Sequence, residues 1–199
     1  MKLNFDSTIV LENDRVILRP MKADDYDGLL NYTTNEPEIW NYSLTAADTP
    51  ENLKHYVAHA LKGLEDRNSY PFIVIDKASN QIAGSTRFYD YQEGHNTVQL
   101  GYTWYGKAFQ RTGLNRNCKY LLLEYAFEVL ELDRVEFRAD AQNSRSVTAM
   151  KSIGCVEEGI LRSNCASPTD RRDSIVLSIL KSEWEDEVKS NLRKKIRPL

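Results

Sequence analysis

The chain reads as one α/β domain built on a mixed, mainly antiparallel, twisted sheet of about seven strands flanked by about four helices. Three observations lead there. Short β-rich or alternating runs recur along the chain and cluster as a three-strand meander in its middle, between 72 and 104. Helical apolar spacing fills the gaps between runs, most clearly over 50–64 and 114–130. No repeat, low-complexity tract or linker-like break divides the 199 residues, and 41% hydrophobic content supplies a core for a single domain over 1–199. The core is expected from about 10 to 184, with a polar tail over 185–199.

Arg15-Val16-Ile17-Leu18-Arg19 is a strand closed by Pro20, and Asp24 and Asp25 suit the first turn of a helix running to about Thr33. The stretch 34–48 is loop-like and carries Pro37, Trp40 and Tyr42. Thr49-Pro50-Glu51 is a helix start, with Thr49 as N-cap and Pro50 at the first helical position. Leu53, Tyr56, Val57, Ala60, Leu61 and Leu64 follow on one face. Phe72 to Ile75, Ile82 to Tyr89, and Val98 to Trp104 form the meander, with turns at Ser79-Asn80 and Gly94-His95-Asn96.

Gln110-Arg111-Thr112-Gly113-Leu114-Asn115 lies between the last meander strand and a helix striped by Leu114, Cys118, Leu121, Leu122, Tyr125, Val129 and Leu130. Arg116, Glu124 and Glu128 should face out. A glycine turn entering a helix gathers free backbone N–H groups at the positive end of the helix dipole, where they can hold a phosphate. Arg134 to Asp140 alternates as a strand. Asn143-Ser144 opens a short helix that ends at Gly154, a natural residue for the turn after a helix. Cys155 to Leu161 and Asp173 to Leu180 close the sheet, joined by a loop with Asn164, Pro168 and Asp170. Lys189, Arg193, Lys194, Lys195 and Arg197 read as a solvated charge run.

A net charge of −3, from 26 basic and 29 acidic residues, argues against nucleic acid as a partner. No apolar run spans a bilayer and no signal-peptide segment opens the chain, so the expectation is a cytoplasmic protein without a membrane partner. Cys118, Cys155 and Cys165 lack C-x-x-C spacing, which disfavours a disulfide framework and a zinc site. His55 and His59 share a helix face without a third ligand, so no metal is expected. Exposed strand edges and the aromatic loop are compatible with a homodimer.

Taken in order, several segments resemble the GCN5-related N-acetyltransferases, in particular the branch that acetylates ribosomal-protein N-termini at alanine or serine. They are Gln99-Leu100-Gly101-Tyr102-Thr103-Trp104, the elbow 110–115, Lys119 to Leu123 with Ala126-Phe127-Glu128, Arg134-Val135, Asp140-Ala141-Gln142-Asn143 with Ser146, Glu158 to Arg162, and Arg172-Asp173 before Ser178-Ile179-Leu180. The resemblance covers almost the whole chain and implies that fold, with acetyl-CoA as cosubstrate in a cleft where two strands splay apart. It places the pyrophosphate on Arg111, Thr112, Gly113, Leu114 and Asn115 beside Gln110. The pantetheine arm would run along Tyr102, Thr103 and Trp104, near Asn143 and Ser146.

The implied activity is transfer of an acetyl group to a primary amine, on a protein N-terminus or a small molecule. Relatives often carry glutamate where Gln99 stands and a tyrosine acid where Met150 stands. Ser146 is then the best remaining donor, with Asn143 and Gln99 completing the catalytic set. Asp140 and Glu158 are alternative bases, and Trp40 and Tyr42 candidate acceptor-pocket residues. The two departures leave open a non-catalytic acyl-CoA-binding module of the same fold.

Overall fold

The computed structural model describes residues 2–166 and 171–196. Eight strands form one sheet in the order β1-β2-β3-β4-β5-β6-β8-β7. They are β1 (Leu11–Glu12), β2 (Val16–Pro20), β3 (Ser69–Asp76), β4 (Gln81–Gln92), β5 (Thr97–Tyr105), β6 (Arg134–Asp140), β7 (Val156–Ala166) and β8 (Arg171–Leu180). The strand beyond the expected seven is β1, which pairs with β2 through only Leu11↔Leu18 and Glu12↔Ile17. Two residues are too few to show alternation. The outer hairpin is longer than expected, because β7 runs on to Ala166 and β8 begins at Arg171; Pro168 and Asp170, read as loop, lie outside the described residues.

Helix α1 (Asp25–Asn35) starts where acidic residues predicted it, but Asp25 does more than face the helix dipole. Its carboxylate takes both Arg19 amino groups, at 2.9 and 2.5 Å, and the Lys22 backbone N–H at 2.7 Å. The bidentate pair fastens α1 to β2. Helix α2 (Pro50–Glu65) has the expected start, Thr49 accepting from the Asn52 N–H at 3.1 Å.

Helix α3 (Leu114–Glu124) continues into a π turn, Tyr125–Val129. The wider turn shifts the buried face by a residue, so Val129, expected on the apolar stripe, is exposed. Glu128, expected to face out, accepts from the Trp184 indole and from Lys189, both at 2.8 Å. Those partners belong to a fifth helix, absent from the sequence reading, made of Lys181–Glu183, a π turn Trp184–Val188 and Lys189–Lys195. It replaces most of the expected polar tail; Arg197 lies outside the described residues. Trp184, Val188 and Leu192 recur every four residues among charged neighbours and are buried, and Trp184 stacks on Phe127 at 5.7 Å. A stripe one residue wide is enough because α3, already on the sheet, offers its outer face.

A cleft opens in the sheet where pairing stops. β5 and β6 are parallel neighbours through only Thr97↔Arg134, Val98↔Val135 and Gln99↔Glu136, though β5 continues to Tyr105 and β6 to Asp140. Beyond Gln99 the strands part. β5 is also bulged there: Arg87 faces Gly101 and Ser85 faces Trp104, so Tyr102 and Thr103 together oppose Thr86, with Tyr102 in the left-handed region at φ 50°. No helix among the described residues is long and apolar enough to cross a membrane.

Trp184→Ala should remove about 3–5 kcal/mol of stability, the range for deleting a buried aromatic side chain. Urea denaturation measures it. A loss below about 1 kcal/mol would mean that the last helix is not part of the folded core.

Candidate functional site

The elbow leaves its amides free. Arg111 and Gly113 take positive φ, 62° and 89°, and Gly113 caps α3 without a side-chain hydrogen bond. A β-carbon on Gly113 would meet nothing within 4 Å, so the space above the turn is open. Among the described residues no acceptor takes the backbone N–H of Arg111, Thr112, Gly113 or Asn115, while Leu114 N–H has only a long 3.4 Å contact to Thr112 Oγ1. The Thr112 hydroxyl is turned away, donating to Phe109 O at 2.8 Å. Unused amides at a helix start over open space suit an anion. The turn is pinned from below: Asn117 donates to Gly113 O at 3.1 Å and accepts from Asn13 at 2.9 Å, and Asn13 also takes the Arg15 and Val16 amides. Neither asparagine was singled out from the sequence, because their contact spans 104 positions.

One wall of the cleft is the β5 edge from Tyr102 to Trp104, unpaired on the β6 side. An aromatic cluster carries it. Trp40 packs on Trp104 at 4.7 Å and on Tyr56 at 5.5 Å, and the Trp104 indole donates to the Tyr56 hydroxyl at 3.1 Å. Trp40, read as an acceptor-pocket residue, is therefore buried beneath this wall. Tyr42 is exposed, and its carbonyl accepts from Arg172 of β8 at 3.4 Å. Arg87 is fully buried with its guanidinium 4.0 Å from the Tyr102 ring and 5.3 Å from that of Tyr56, and Nη1 lies 3.5 Å from His59. This cation–π sandwich holds the bulge residue from the α2 side. Burial and the neighbouring guanidinium push the His59 pKa down.

The other wall is β6 with helix α4 (Ser144–Ser152). Asn143 Oδ1 caps α4, accepting the Ser146 N–H at 3.0 Å, so its Nδ2 is the group left over. Ser146 is half-buried and its hydroxyl makes no hydrogen bond among the described residues. Met150 is buried. Gln110 ties the two walls together, donating to Tyr105 O at 2.8 Å and accepting from Arg145 at 2.9 Å.

Gln99 sits at the last β5–β6 pair, buried, and donates to Asp90 Oδ2 at 2.7 Å. Glu136 opposite it is paired with Arg134 and Arg138. Glu158 is bound by Arg134, which with the Ser178 hydroxyl holds its pKa down at about 2, so it serves as an ion-pair member. Asp140 accepts the Gln142 N–H in the turn before α4. Cys118 and Cys155 are buried thiols raised to about 12 by burial. His55 pairs with Glu51, and no group of described residues is arranged to hold a metal.

Residues 15–156 match the model of the acetyltransferase (GNAT) domain. The chain belongs to that family. A GCN5-related N-acetyltransferase from Brucella melitensis is 24% identical, with a TM-score of 0.89 over 98% of this chain and 88% of that one. A T. thermophilus protein named as a candidate acetyltransferase is 31% identical, with a TM-score of 0.85 over 94% and 97% of the two chains. The fold is shared with ribosomal-protein-S5-alanine acetyltransferase from Vibrio fischeri, at 18% identity and a TM-score of 0.71 over 88% and 98%. Within this family's frame, the free elbow amides and the unpaired β5 edge fit an extended ligand bearing phosphates and amides.

Lys119 of α3 is buried, with Nζ donating to Thr103 Oγ1 at 2.9 Å, and burial lowers its pKa to about 8. A folded-state value below the unfolded one means that the unfolded chain binds more protons between about pH 8 and 10.5, so stability rises with pH across that window. From pH 7 to 10 the wild type should gain about 2–3 kcal/mol over Lys119→Met in chemical denaturation. Parallel pH curves would refute the buried charge.

Proposed function

We propose that this protein transfers an acetyl group from acetyl-CoA to a primary amine by direct attack within a ternary complex, without an acyl-enzyme. The observation that carries the reading is the junction, in one cleft of a GNAT domain, of an amide cradle with one long internal contact and a strand edge left unpaired, both among the described residues. Acetyl-CoA supplies an activated thioester. The amides of Arg111 to Asn115 hold its pyrophosphate, with Gln110 bracing the turn. The Tyr102, Thr103 and Trp104 backbone pairs with the pantetheine arm as an added strand would, and Asn143 Nδ2 donates to the arm. Backbone N–H groups of β5 after the bulge polarise the thioester carbonyl.

Ser146 offers an unengaged hydroxyl to the leaving side. Gln99 cannot accept a proton; its amide is oriented by Asp90 and can position a water or the amine. The acceptor enters from the side of Tyr42. A protein N-terminus is favoured by the likeness to the ribosomal-protein enzymes, and small amines share the same chemistry.

Positioning alone supplies much of the barrier reduction in an aminolysis, which favours catalysis over the second reading, a non-catalytic acyl-CoA-binding module. That second reading draws on Gln99 and Met150, neither of which carries a transferable proton at its site.

Acetyl-CoA at about one hundred times its Kd should raise the wild-type Tm by about 5–10 °C, and Gly113→Glu should abolish the rise. Gly113→Ala, strained at φ 89° but uncharged, should retain part of it. No shift in the wild type would end both readings. CoA-thiol release with a panel of N-terminal peptides, polyamines and aminoglycosides separates enzyme from binding module.

A further inference from the structure

Lys119 projects from the second turn of α3 into the place where the strands part. Its Nζ contacts Thr103 Oγ1 on β5 and lies 5.7 Å from the Phe137 ring on β6. Thr103 is beyond Gln99 and Phe137 beyond Glu136, the last paired residues, so the ammonium lies between the two strands just past their junction. Thr103 Oγ1 also meets Thr86 Oγ1 at 2.7 Å, and both hydroxyls reach Gly101 O, at 3.4 and 3.3 Å. The charge is thus tied to the bulged segment.

Among the described residues Lys119 uses one of its three N–H donors and touches no carboxylate. The titratable groups facing it are Cys118 on its own helix and Cys155 at the start of the outer hairpin. Both are kept as neutral thiols by burial. Such a cation is costly, and its cost falls when an anion arrives beside it. Within the acetyl-CoA reading above, aminolysis of the thioester in this cleft generates one anion, the CoA thiolate. The amine nitrogen bonds to the carbonyl carbon, the C–S bond breaks with its electron pair left on sulfur, and the proton of the amine goes to solvent.

We propose that the Lys119 ammonium is the fixed positive charge that stabilises the CoA thiolate formed in the cleft, a task for which Met150 carries no proton. Lys119 keeps its own proton throughout. The inference rests on the acetyl-CoA reading above and goes beyond it in adding a charge from α3 to the leaving side, in addition to the Ser146 hydroxyl of α4. By reciprocity, the thiolate raises the pKa of Lys119 from its lowered value in the free protein.

The test is the ultraviolet titration of the thiol of CoA bound to the full chain, for wild type, Lys119→Met and Lys119→Arg, with acetyl-CoA binding measured alongside. In the wild type the bound thiol should titrate at least about one pH unit below free CoA, a tenfold rise in the thiolate fraction. Lys119→Arg should keep most of that shift, and Lys119→Met should abolish it while still binding acetyl-CoA. Equal thiol titrations in wild type and Lys119→Met, both loaded, overturn the proposal. Lys119→Gln, which retains a donor to Thr103, takes over if the methionine variant does not fold. Loss of acetyl-CoA binding in both variants makes Lys119 a structural residue and also overturns it. A wild type that binds no CoA instead removes the cofactor reading itself, an outcome the Gly113 thermal shifts report independently.

Discussion

Three parallel residue pairs between β5 and β6 hold the two halves of the sheet together, and the site depends on the pairing stopping there. Each strand is secured from outside: β5 by β4 through Gly84↔Tyr105, and β6 by β8 from Arg134↔Leu180 to Asp140↔Ser174. Neither wall therefore needs the other. The bulge at Tyr102 turns β5 away, leaving backbone groups that water or a ligand must satisfy. A strand edge that would invite aggregation on an outer face is recessed here between two walls.

Two buried cations act on that bulge. Arg87 reaches from β4 toward α2 and lies between the Tyr56 and Tyr102 rings, while Lys119 reaches from α3 to Thr103. Neither is offset by a carboxylate contact among the described residues. The energy spent burying them is recovered in part through aromatic faces and hydroxyls, and the result is a segment whose irregular backbone is held by electrostatics as well as by packing. The elbow is held differently, by the amide chain from Asn13 through Asn117 to Gly113, which uses neutral groups and leaves the positive end of the helix unopposed.

Much of the scaffold was legible in the sequence because its signals are local. Thr49-Pro50, the alternation over the meander, the glycine elbow and Gly154 each state a conformation within a few residues. The last helix was missed although Trp184, Val188 and Leu192 keep a four-residue step, because a stripe that narrow means burial only when a second helix lies under it. Trp40 shows the same limit from the other side: an aromatic in a loop reads as a pocket residue until Trp104 and Tyr56 are seen to enclose it. Val129 failed through a π turn, which changes the helical period without a sequence mark. Among site residues, Asn143 was identified correctly as a helix start, but only the structure assigns its Oδ1 to the cap and frees its Nδ2.

By itself the sequence determined the order of seven of the eight strands and of the first four helices, the place of the glycine turn before α3 and the absence of glutamate and tyrosine at Gln99 and Met150, since these follow from residue identity and short spacing. The tertiary structure decided where β5 and β6 separate, which amides lack acceptors among the described residues, and that a lysine in the middle of a helix reaches both strands where they part. Those are contacts between segments far apart in the chain, and their energies depend on burial, which no local pattern contains.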